Sequence, residues 1–175
     1  IMREIIDPVM SGMRADGHRY RGFLYAGLMM TCDGPRVIEF NVRFGDPEAQ
    51  VLFALCEDDL PPYPVPAADG ALHGAPRYSP RKHVDVVLAS AGYPGAGRAG
   101  PSIRGLGKAG SIEDVLVFHA GTATGPVTAG GRVLTVVGRG DSYESAIARA
   151  YEAVSHISFD GMHYRRDIGR KALAS

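Results

Sequence analysis

A strict alternation of apolar and polar residues over positions 38–44 predicts a β-strand with two unlike faces, spanning Arg36–Phe44, because successive side chains of a strand point to opposite sides. One face carries Ile38, Phe40 and Val42, and the other carries Glu39, Asn41 and Arg43. A carboxylate, a carboxamide and a guanidinium in one polar row are an unusual combination. This row is therefore the first candidate for a functional site.

The apolar run Tyr20–Thr31 lies just before this strand and is bounded by turn residues, which predicts a buried partner strand. Asp33-Gly34 is a strong signal for a two-residue hairpin turn between the two. Such a turn would place small residues opposite part of the polar row. The two pairs that it predicts are Glu39 with Leu28 and Asn41 with Ala26.

Apolar residues at helical spacing predict one helix before this hairpin and one after it. The first spans residues 1–15, is kinked by Pro8 and ends at Gly17, a residue suited to a left-handed cap. The second spans residues 47–57, with Asp46 as its N-cap. The hairpin is therefore expected to lie between two helices.

Four prolines within residues 61–66 interrupt this pattern. They predict an extended, polyproline-like segment, because proline cannot continue a helix interior. We place a linker at residues 61–75, between one domain over residues 1–60 and a second over residues 76–175.

Short apolar runs and glycine turns dominate the second domain. The predicted strands span residues 84–90, 103–106, 115–120, 132–137 and 157–159. One long helix is predicted to start at a capping box formed by Asp141 and Glu144 and to run to about Ser155. Small β-rich domains of this kind are commonly barrel- or sandwich-like.

The charges of the chain balance, with 19 Lys and Arg against 19 Asp and Glu. This argues against nucleic-acid binding, which requires a basic surface. No apolar run is long enough to cross a membrane. The two cysteines, Cys32 and Cys56, lack a metal-binding spacing, so we expect reduced thiols in a cytoplasmic protein.

Glu39 and Asn41 offer hard oxygen ligands, which suit Mg²⁺ or Mn²⁺. The planar guanidinium of Arg43, one step further along the row, fits a phosphate or a carboxylate. A metal pair followed by an anion clamp is what phosphoryl transfer from ATP requires. The alternative interpretation is a row of polar residues on a half-exposed strand that water simply solvates.

Residues 37–50, V-I-E-F-N-V-R-F-G-D-P-E-A-Q, resemble the metal-binding signature of the phosphoribosylamine–glycine ligase family of the ATP-grasp superfamily. The preceding run Y-R-G-F-L-Y-A-G-L-M-M-T-x-D-G resembles the strand pair before that signature. The later phrases A-S-A-G-Y-P-G, F-H-A-G-T, A-G-G-R-V-L and Y-R-R-D-I-G follow the order and spacing of the family's C-terminal domain. The resemblance therefore covers nearly the whole chain.

The resemblance implies an α+β fold. Its first part would be the C-terminal part of an ATP-grasp core, made of a helix, an antiparallel hairpin and a helix, and a small β-rich domain would follow. The family's N-terminal domain and flexible lid are missing from this sequence, and Ile1 falls inside a helical pattern. We therefore expect those segments of the same enzyme to be partners, and the 175-residue chain to have little activity alone.

The implied activity is ATP-dependent ligation of glycine to 5-phosphoribosylamine in purine synthesis, through a glycyl phosphate. By the resemblance, Glu39 and Asn41 carry the Mg²⁺ or Mn²⁺ that bridges the ATP phosphates. Arg43 would then stabilise the γ-phosphate or the glycyl phosphate. Asp46 would hold the glycine ammonium, although a helix cap explains this residue equally well.

Other candidates are weaker. Arg132 follows a double glycine whose backbone could cradle a phosphate, but which is more often a plain turn. Arg165 and Arg166 either lie near the substrate phosphate or pair with Asp167 on the surface. His119 suggests a general base, but a histidine before a Gly-Thr turn is more often a hydrogen-bonded structural residue.

Two alternatives remain open. One is another ATP-grasp ligase that joins a carboxylate to an amine, which the phrases F-H-A-G-T and Y-R-R-D-I-G disfavour. The other is a non-catalytic, truncated copy, which is favoured by the prolines at residues 61–66, where the family usually has a helix.

Overall fold

The computed structural model describes residues 1–58, 64–71 and 74–173. Residue contacts divide the chain into two units. The first comprises Ile1–Asp46 and Asp58–Pro76, and the second comprises Pro47–Glu57 and Arg77–Ser175. The helix after the hairpin thus belongs with the second unit, while our division at residues 61–75 stays a prediction.

The first unit opens with the predicted helical stretch. A π-helical turn, Met2–Ile6, leads into helix α1, Asp7–Ala15. Pro8 lies in the first turn of α1, where a missing N–H group removes no helical hydrogen bond. Gly17, with φ of +81°, follows the helix in the left-handed conformation that was predicted for it.

The predicted hairpin is present as strands β1, Tyr25–Thr31, and β2, Gly34–Asn41. Its turn is Cys32-Asp33, one residue earlier than predicted, and a bulge between Gly27 and Leu28 shifts the register again. The predicted pairs were therefore wrong. The observed pairs are Glu39 with Gly27 and Asn41 with Tyr25.

The prediction of a buried strand was also wrong. Gly27 is the only buried residue of β1. The apolar face of the second strand is open to solvent as well, with Ile38 63% exposed and Val42 70% exposed. Val42 and Arg43 lie beyond the end of β2, in a bend.

Helix α2 spans Glu48–Leu55, with Pro47 at its N-cap and no side-chain capping hydrogen bond. The N-cap residue is thus Pro47, one position later than the predicted Asp46. Helix α3, Pro64–Asp69, corrects the polyproline prediction for residues 64–66, because prolines are tolerated in a first helical turn. Residues 61–63 lie outside the described residues.

The second unit is built on an open three-stranded antiparallel sheet with the strand order β3-β7-β4. Its longer elements are β3, Lys82–Ala89; α4, Leu106–Gly110; β4, Val115–His119; β7, Arg132–Gly140; and α5, Tyr143–His156. A short hairpin joins β5, Thr122–Ala123, to β6, Val127–Thr128, and Arg170–Leu173 form a 3₁₀ turn. No sheet closes on itself in the described part of the chain, so the barrel expectation is not confirmed.

The hydrophobic core lies between this sheet and α5. Val86, Leu88 and Val136 of the sheet are fully buried, as is Ala150 of the helix. Gly138 of β7 lets the helix come this close, because a Cβ there would lie 2.4 Å from the backbone nitrogen of Ala150. Glycine at 138 is therefore what allows α5 to pack directly on β7.

Local details of this unit differ from the predictions. The capping box of α5 is formed by Ser142 and Ser145, not by Asp141 and Glu144, because the serine hydroxyls reach the free amides. The strands predicted at residues 103–106 and 157–159 are only isolated bridges, including one between Arg104 and Ser158. Among the helices that the structure describes, none is both long and apolar enough to cross a bilayer.

Candidate functional site

Glu39 and Asn41 point to the same side of β2, as the alternation predicted. The amide Nδ2 of Asn41 donates a hydrogen bond of 2.9 Å to Oε1 of Glu39. Gly27 lies opposite Glu39, and a Cβ on Gly27 would come within 3.2 Å of the Glu39 Cγ. The glycine therefore leaves the space in which the glutamate side chain lies.

The spacing of these two side chains fits a shared divalent cation. Neighbouring ligands of an octahedral Mg²⁺ lie about 3 Å apart, since each is roughly 2.1 Å from the ion. The oxygen and nitrogen of an asparagine amide exchange places by rotation about one bond, which puts Oδ1 where Nδ2 now lies. Glu39 and Asn41 then present two oxygens at the observed 2.9 Å.

The described residues contain no cluster of three or more His, Cys, Asp or Glu that could hold a metal ion. A two-ligand site is nevertheless normal for Mg²⁺, which usually keeps several waters and binds through one or two side chains and substrate phosphates. The pair therefore suits a metal that arrives with a nucleotide better than a permanently bound structural metal.

Arg43 is not held in the same row. It lies past the end of β2, and its Nη1 donates a 3.1 Å hydrogen bond to the carbonyl of Phe44. In the described part of the chain, no hydrogen bond joins Arg43 to Glu39 or Asn41. Asp46 is exposed in the segment just before α2. For Arg43 to clamp an anion held by Glu39 and Asn41, its guanidinium must first leave the Phe44 carbonyl.

The second unit gathers two other predicted residues. Arg132 and Arg165 both line a cavity of about 580 Å³ at the edge of the sheet. Its other polar lining residues are Asp85, Tyr93, His163 and Tyr164. His163 is held there by two backbone hydrogen bonds with Ala89, of 2.9 and 3.0 Å. The sequence analysis missed Asp85 and His163, because neither belongs to a motif.

Arg165 is engaged within its own loop. Its Nε and Nη2 donate to the two carboxylate oxygens of Asp167, at 3.0 and 2.7 Å. These hydrogen bonds lower the pKa of Asp167 and raise the pKa of Arg165. The surface-pair interpretation of Arg165 describes the observed geometry, and its role in substrate binding stays a prediction.

The double glycine before Arg132 is tightly packed. The Ser90 hydroxyl donates to the Gly130 carbonyl at 2.9 Å, and a Cβ on Gly131 would lie 2.8 Å from the Tyr93 ring. Packing against Tyr93 therefore explains the glycine at 131, whereas a Cβ at Gly130 would make only an ordinary 3.4 Å contact, and a phosphate cradle there remains a prediction.

Comparison with known proteins assigns the chain. The family description "Phosphoribosylglycinamide synthetase, C domain" matches residues 83–171, which is half of the sequence, and "Phosphoribosylglycinamide synthetase, ATP-grasp (A) domain" matches residues 1–49. The chain belongs to the phosphoribosylglycinamide synthetase family. The 1–49 match includes the Glu39–Asn41 pair, and the 83–171 match includes Arg132 and Arg165.

Relatives in this synthetase family are similar along almost the whole chain. The phosphoribosylamine–glycine ligase of Neisseria meningitidis serogroup A is 48% identical over 178 aligned residues, which cover 98% of this chain and 42% of the relative. The crystal structure of the phosphoribosylamine–glycine ligase of Thermotoga maritima is 38% identical, with a TM-score of 0.79, and the match covers 95% of this chain and 41% of that one. The chain thus spans less than half the length of the relatives it matches.

A second solved structure shares the fold alone. The N5-carboxyaminoimidazole ribonucleotide synthetase of Thermotoga maritima is 17% identical, with a TM-score of 0.61, over 87% of this chain and 40% of that one. The same chain path therefore recurs with very little sequence in common.

Two further predicted candidates have local structural partners. His119 Nδ1 lies 3.1 Å from the Thr122 hydroxyl across a tight turn, which favours the structural interpretation of this histidine. Arg166 stacks over the ring of Tyr164, with 5.4 Å between its guanidinium carbon and the ring centroid. Neither contact requires a ligand.

An ion-pair network around Arg81 was not predicted. Arg81 donates to both carboxylate oxygens of Asp114, at 2.7 and 2.6 Å, and to Asp141 at 3.1 Å. The hydrogen bonds from Arg81 lower the pKa of Asp114. Asp114 has a φ of +63°, which is unusual for a residue with a side chain. The network ties the segments before β3, β4 and α5 together, so it is structural.

Proposed function

We propose that this chain is the C-terminal portion of a ligase that joins glycine to 5-phosphoribosylamine with ATP, giving glycinamide ribonucleotide, ADP and phosphate through a glycyl phosphate. The observation that carries the proposal is the side-by-side placement of the Glu39 and Asn41 side chains on β2, joined by a 2.9 Å hydrogen bond, within a stretch that matches the family's ATP-grasp domain. No covalent enzyme intermediate is needed, because positioning and charge stabilisation suffice for phosphoryl transfer.

In this proposal Glu39 and Asn41 hold the Mg²⁺ or Mn²⁺ of the bound nucleotide. The metal, when bound, neutralises charge on the phosphate oxygens. Glu39 supplies the anionic oxygen and Asn41 a neutral one, which leaves the site able to release its nucleotide. Arg43, after rotating away from the Phe44 carbonyl, donates to the γ-phosphate or to the glycyl phosphate.

Substrate binding is assigned to three other side chains. The exposed carboxylate of Asp46 orients the ammonium group of glycine. Arg132 and Arg165 line one cavity, and they bind the phosphate of 5-phosphoribosylamine at its mouth. Asp167 holds the Arg165 guanidinium in one orientation through two hydrogen bonds. The phosphate would therefore bind to a guanidinium that is already oriented.

The proposal also names partners. The missing N-terminal and lid segments of the same enzyme would complete the ATP site and cover the apolar face of the hairpin, where Ile38 and Val42 are exposed. ATP, glycine and 5-phosphoribosylamine are the small-molecule partners. We place the activity in the cytoplasm, in keeping with Cys32 and Cys56, neither of which forms a disulfide.

Paramagnetic broadening by Mn²⁺ tests the metal assignment without requiring activity. Titrating Mn²⁺ and ATP into the ¹⁵N-labelled chain should broaden the amide signals next to Glu39 and Asn41 first. Glu39→Gln should raise the Mn²⁺ concentration needed for the same broadening by more than about tenfold, because the anionic ligand is lost. Glu4→Gln removes the same charge from the exposed N-terminal helix and should leave it unchanged. Equal losses in both variants would refute the assignment.

The reaction is tested by complementation. The chain alone should release little ADP from ATP. Adding the N-terminal and lid portion of a relative, which this chain lacks, should restore glycine-dependent ADP release. Replacing glycine by other carboxylic acids then separates this ligase from another carboxylate–amine ligase. Failure to restore any activity, with both parts folded and associated, would favour the non-catalytic copy.

A further inference from the structure

The first unit contains a cavity of about 380 Å³ that the proposed function does not use. It is lined by Met10, Arg14, His18, Arg19, Tyr20 and Arg21. The lining comes from the end of α1 and from the segment that leads to the hairpin. None of these residues belongs to the Glu39–Asn41 pair.

The lining of this cavity is strongly basic. Three arginines and one histidine line it and, among the described residues, no carboxylate does, although acidic and basic residues balance over the whole chain. Like charges around one small volume raise its positive potential and disfavour one another unless an anion neutralises them. Within the part of the chain that the structure describes, no ion pair or hydrogen bond engages the side chains of Arg14, His18 or Arg19.

One of the cations is fixed in place. Arg21 donates through Nη1 to the carbonyl of Asp69 at 2.8 Å. Its Nε would lie 2.7 Å from a Cβ on Gly70, so the absence of a side chain at Gly70 makes room for the guanidinium. The neighbouring Tyr20 hydroxyl donates to the Phe23 carbonyl. The segment that carries Arg21 is thereby organised before any ligand binds.

The C-terminus of α1 repels an anion less strongly here than a helix C-terminus with unpaired carbonyls would. A helix C-terminus carries exposed carbonyls, which repel negative charge. In this case the amides of Gly17 and His18 donate to the carbonyls of Arg14 and Met13, at 3.1 and 2.8 Å. Those carbonyls are occupied, so the arginine side chains dominate the field in the cavity.

We propose that this basic cavity binds a multiply charged phosphate anion, for which diphosphate is the simplest representative. Its volume corresponds to about a dozen water molecules at roughly 30 Å³ each, which is ample for an anion of nine heavy atoms. Arginine suits this ligand, because its planar fork donates two parallel hydrogen bonds to phosphate oxygens. The site neither requires a metal nor shares a residue with the proposed ligase centre.

Titration calorimetry with sodium diphosphate tests this site. The whole 175-residue chain is used, at low ionic strength and with EDTA present, so that a metal-dependent site makes no contribution. We expect saturable binding of one diphosphate, and weaker binding of inorganic phosphate. Arg14→Gln and Arg19→Gln should each weaken diphosphate binding by about tenfold, as expected for a charge-assisted hydrogen bond.

Arg36→Gln is the matched control. Arg36 is an exposed arginine of β2 in the same unit, so its loss changes the net charge equally without touching the cavity. Binding by this variant should be unchanged within about twofold, since distant exposed charges are largely screened. Absence of saturable binding by the unmodified chain, or an equal loss in Arg36→Gln and Arg14→Gln, would overturn the proposal.

Discussion

Gly27 controls where the Glu39 carboxylate can lie. A methyl group at Gly27 would contact Glu39 Cγ at 3.2 Å, which is close enough to displace a flexible side chain but not the strand. Gly27→Ala should therefore separate Glu39 from Asn41 and raise the Mn²⁺ concentration needed for half-maximal broadening by about tenfold, as loss of an orienting contact does at other metal sites.

Gly12→Ala is the control for this substitution. Gly12 lies in α1 of the same unit, and no atom would lie within 4 Å of its added Cβ. Mn²⁺ binding should not change. If Gly27→Ala also binds Mn²⁺ normally while remaining folded, Gly27 has no part in positioning Glu39.

His83 should make the second unit sensitive to mild acid. Burial lowers the pKa of its imidazole below the ordinary value of 6.5, and the nearby charge of Arg139 adds to this. The unfolded chain therefore takes up this proton first as the pH falls. Stability should decline from about pH 6.5 downwards and level off below the lowered pKa, and His83→Gln should remove this part of the pH dependence.

Urea unfolding at pH 7.5, 6 and 5 measures this effect. His119→Gln, which removes an exposed histidine from the same sheet, is the matched control. It should change the pH dependence of the unfolding free energy less than His83→Gln does. The Asp114 carboxyl, whose pKa is lowered by the hydrogen bonds from Arg81, contributes stability that is lost only below about pH 3.8. The prediction would be contradicted if the unfolding free energy of His83→Gln fell between pH 7.5 and 5 as much as that of the unmodified chain.

Single residues were predictable where local periodicity determines them. Glu39 and Asn41 share a face because strand side chains repeat every two residues, and no distant contact is needed to know this. Asp85 and His163 meet in one cavity only through the pairing of His163 with Ala89, which no local pattern encodes. For this reason the sequence indicated the Glu39–Asn41 pair and missed Asp85 and His163 in the cavity that Arg132 and Arg165 also line.

At the scale of elements, the packing of α5 on β7 is the most demanding contact. A Cβ on Gly138 would lie 2.3 Å from the Ala146 carbonyl oxygen and 2.4 Å from the Ala150 nitrogen. These are backbone atoms, which cannot move aside without moving the helix. Gly138→Ala should lower the free energy of unfolding by about 3 kcal/mol, at the upper end of overpacking penalties.

Gly107→Ala provides the comparison for this substitution. Gly107 lies within α4, and an added methyl group would meet no atom within 4 Å. Alanine favours a helix over glycine by up to about 1 kcal/mol, so this variant should be equally stable or slightly more so. Chemical unfolding followed by circular dichroism distinguishes the two. Similar stabilities would show that α5 does not depend on Gly138.

Most elements could be predicted, but their junctions could not. The hairpin, the main strands of the second unit and α5 follow from periodicity and turn residues. The hairpin turn shifted to Cys32-Asp33 and the α5 cap to Ser142, because each end is decided by a few hydrogen bonds between near-equivalent residues. The prolines at 64–66 enter α3 since a first helical turn needs no amide donors from them.

At the scale of the whole molecule, hydrophobic burial is very uneven. Every buried apolar side chain among the described residues lies in the second unit, from Val84 to Phe159. The first unit offers β1 and β2, whose apolar residues such as Met30 and Ile38 are mostly exposed. A two-stranded hairpin without a covered face is only marginally stable in water. The two units should therefore differ greatly in local stability.

Amide hydrogen exchange measures this difference directly. Because burial of apolar surface is the main source of stability, the amides of β7 and α5 should exchange only through near-global opening of the second unit. The amides of β1 and β2 should exchange at least about 100-fold faster, which corresponds to a difference of roughly 2.7 kcal/mol in opening free energy. The portion of the ligase that this chain lacks can be supplied from a relative. If that portion covers the apolar face of the hairpin, the protection of β1 and β2 against exchange should rise while that of β7 stays constant. Equal protection in both units of the isolated chain would mean that the first unit is stabilised by something other than a buried core. The hairpin would then not need a covering segment, contrary to the proposal.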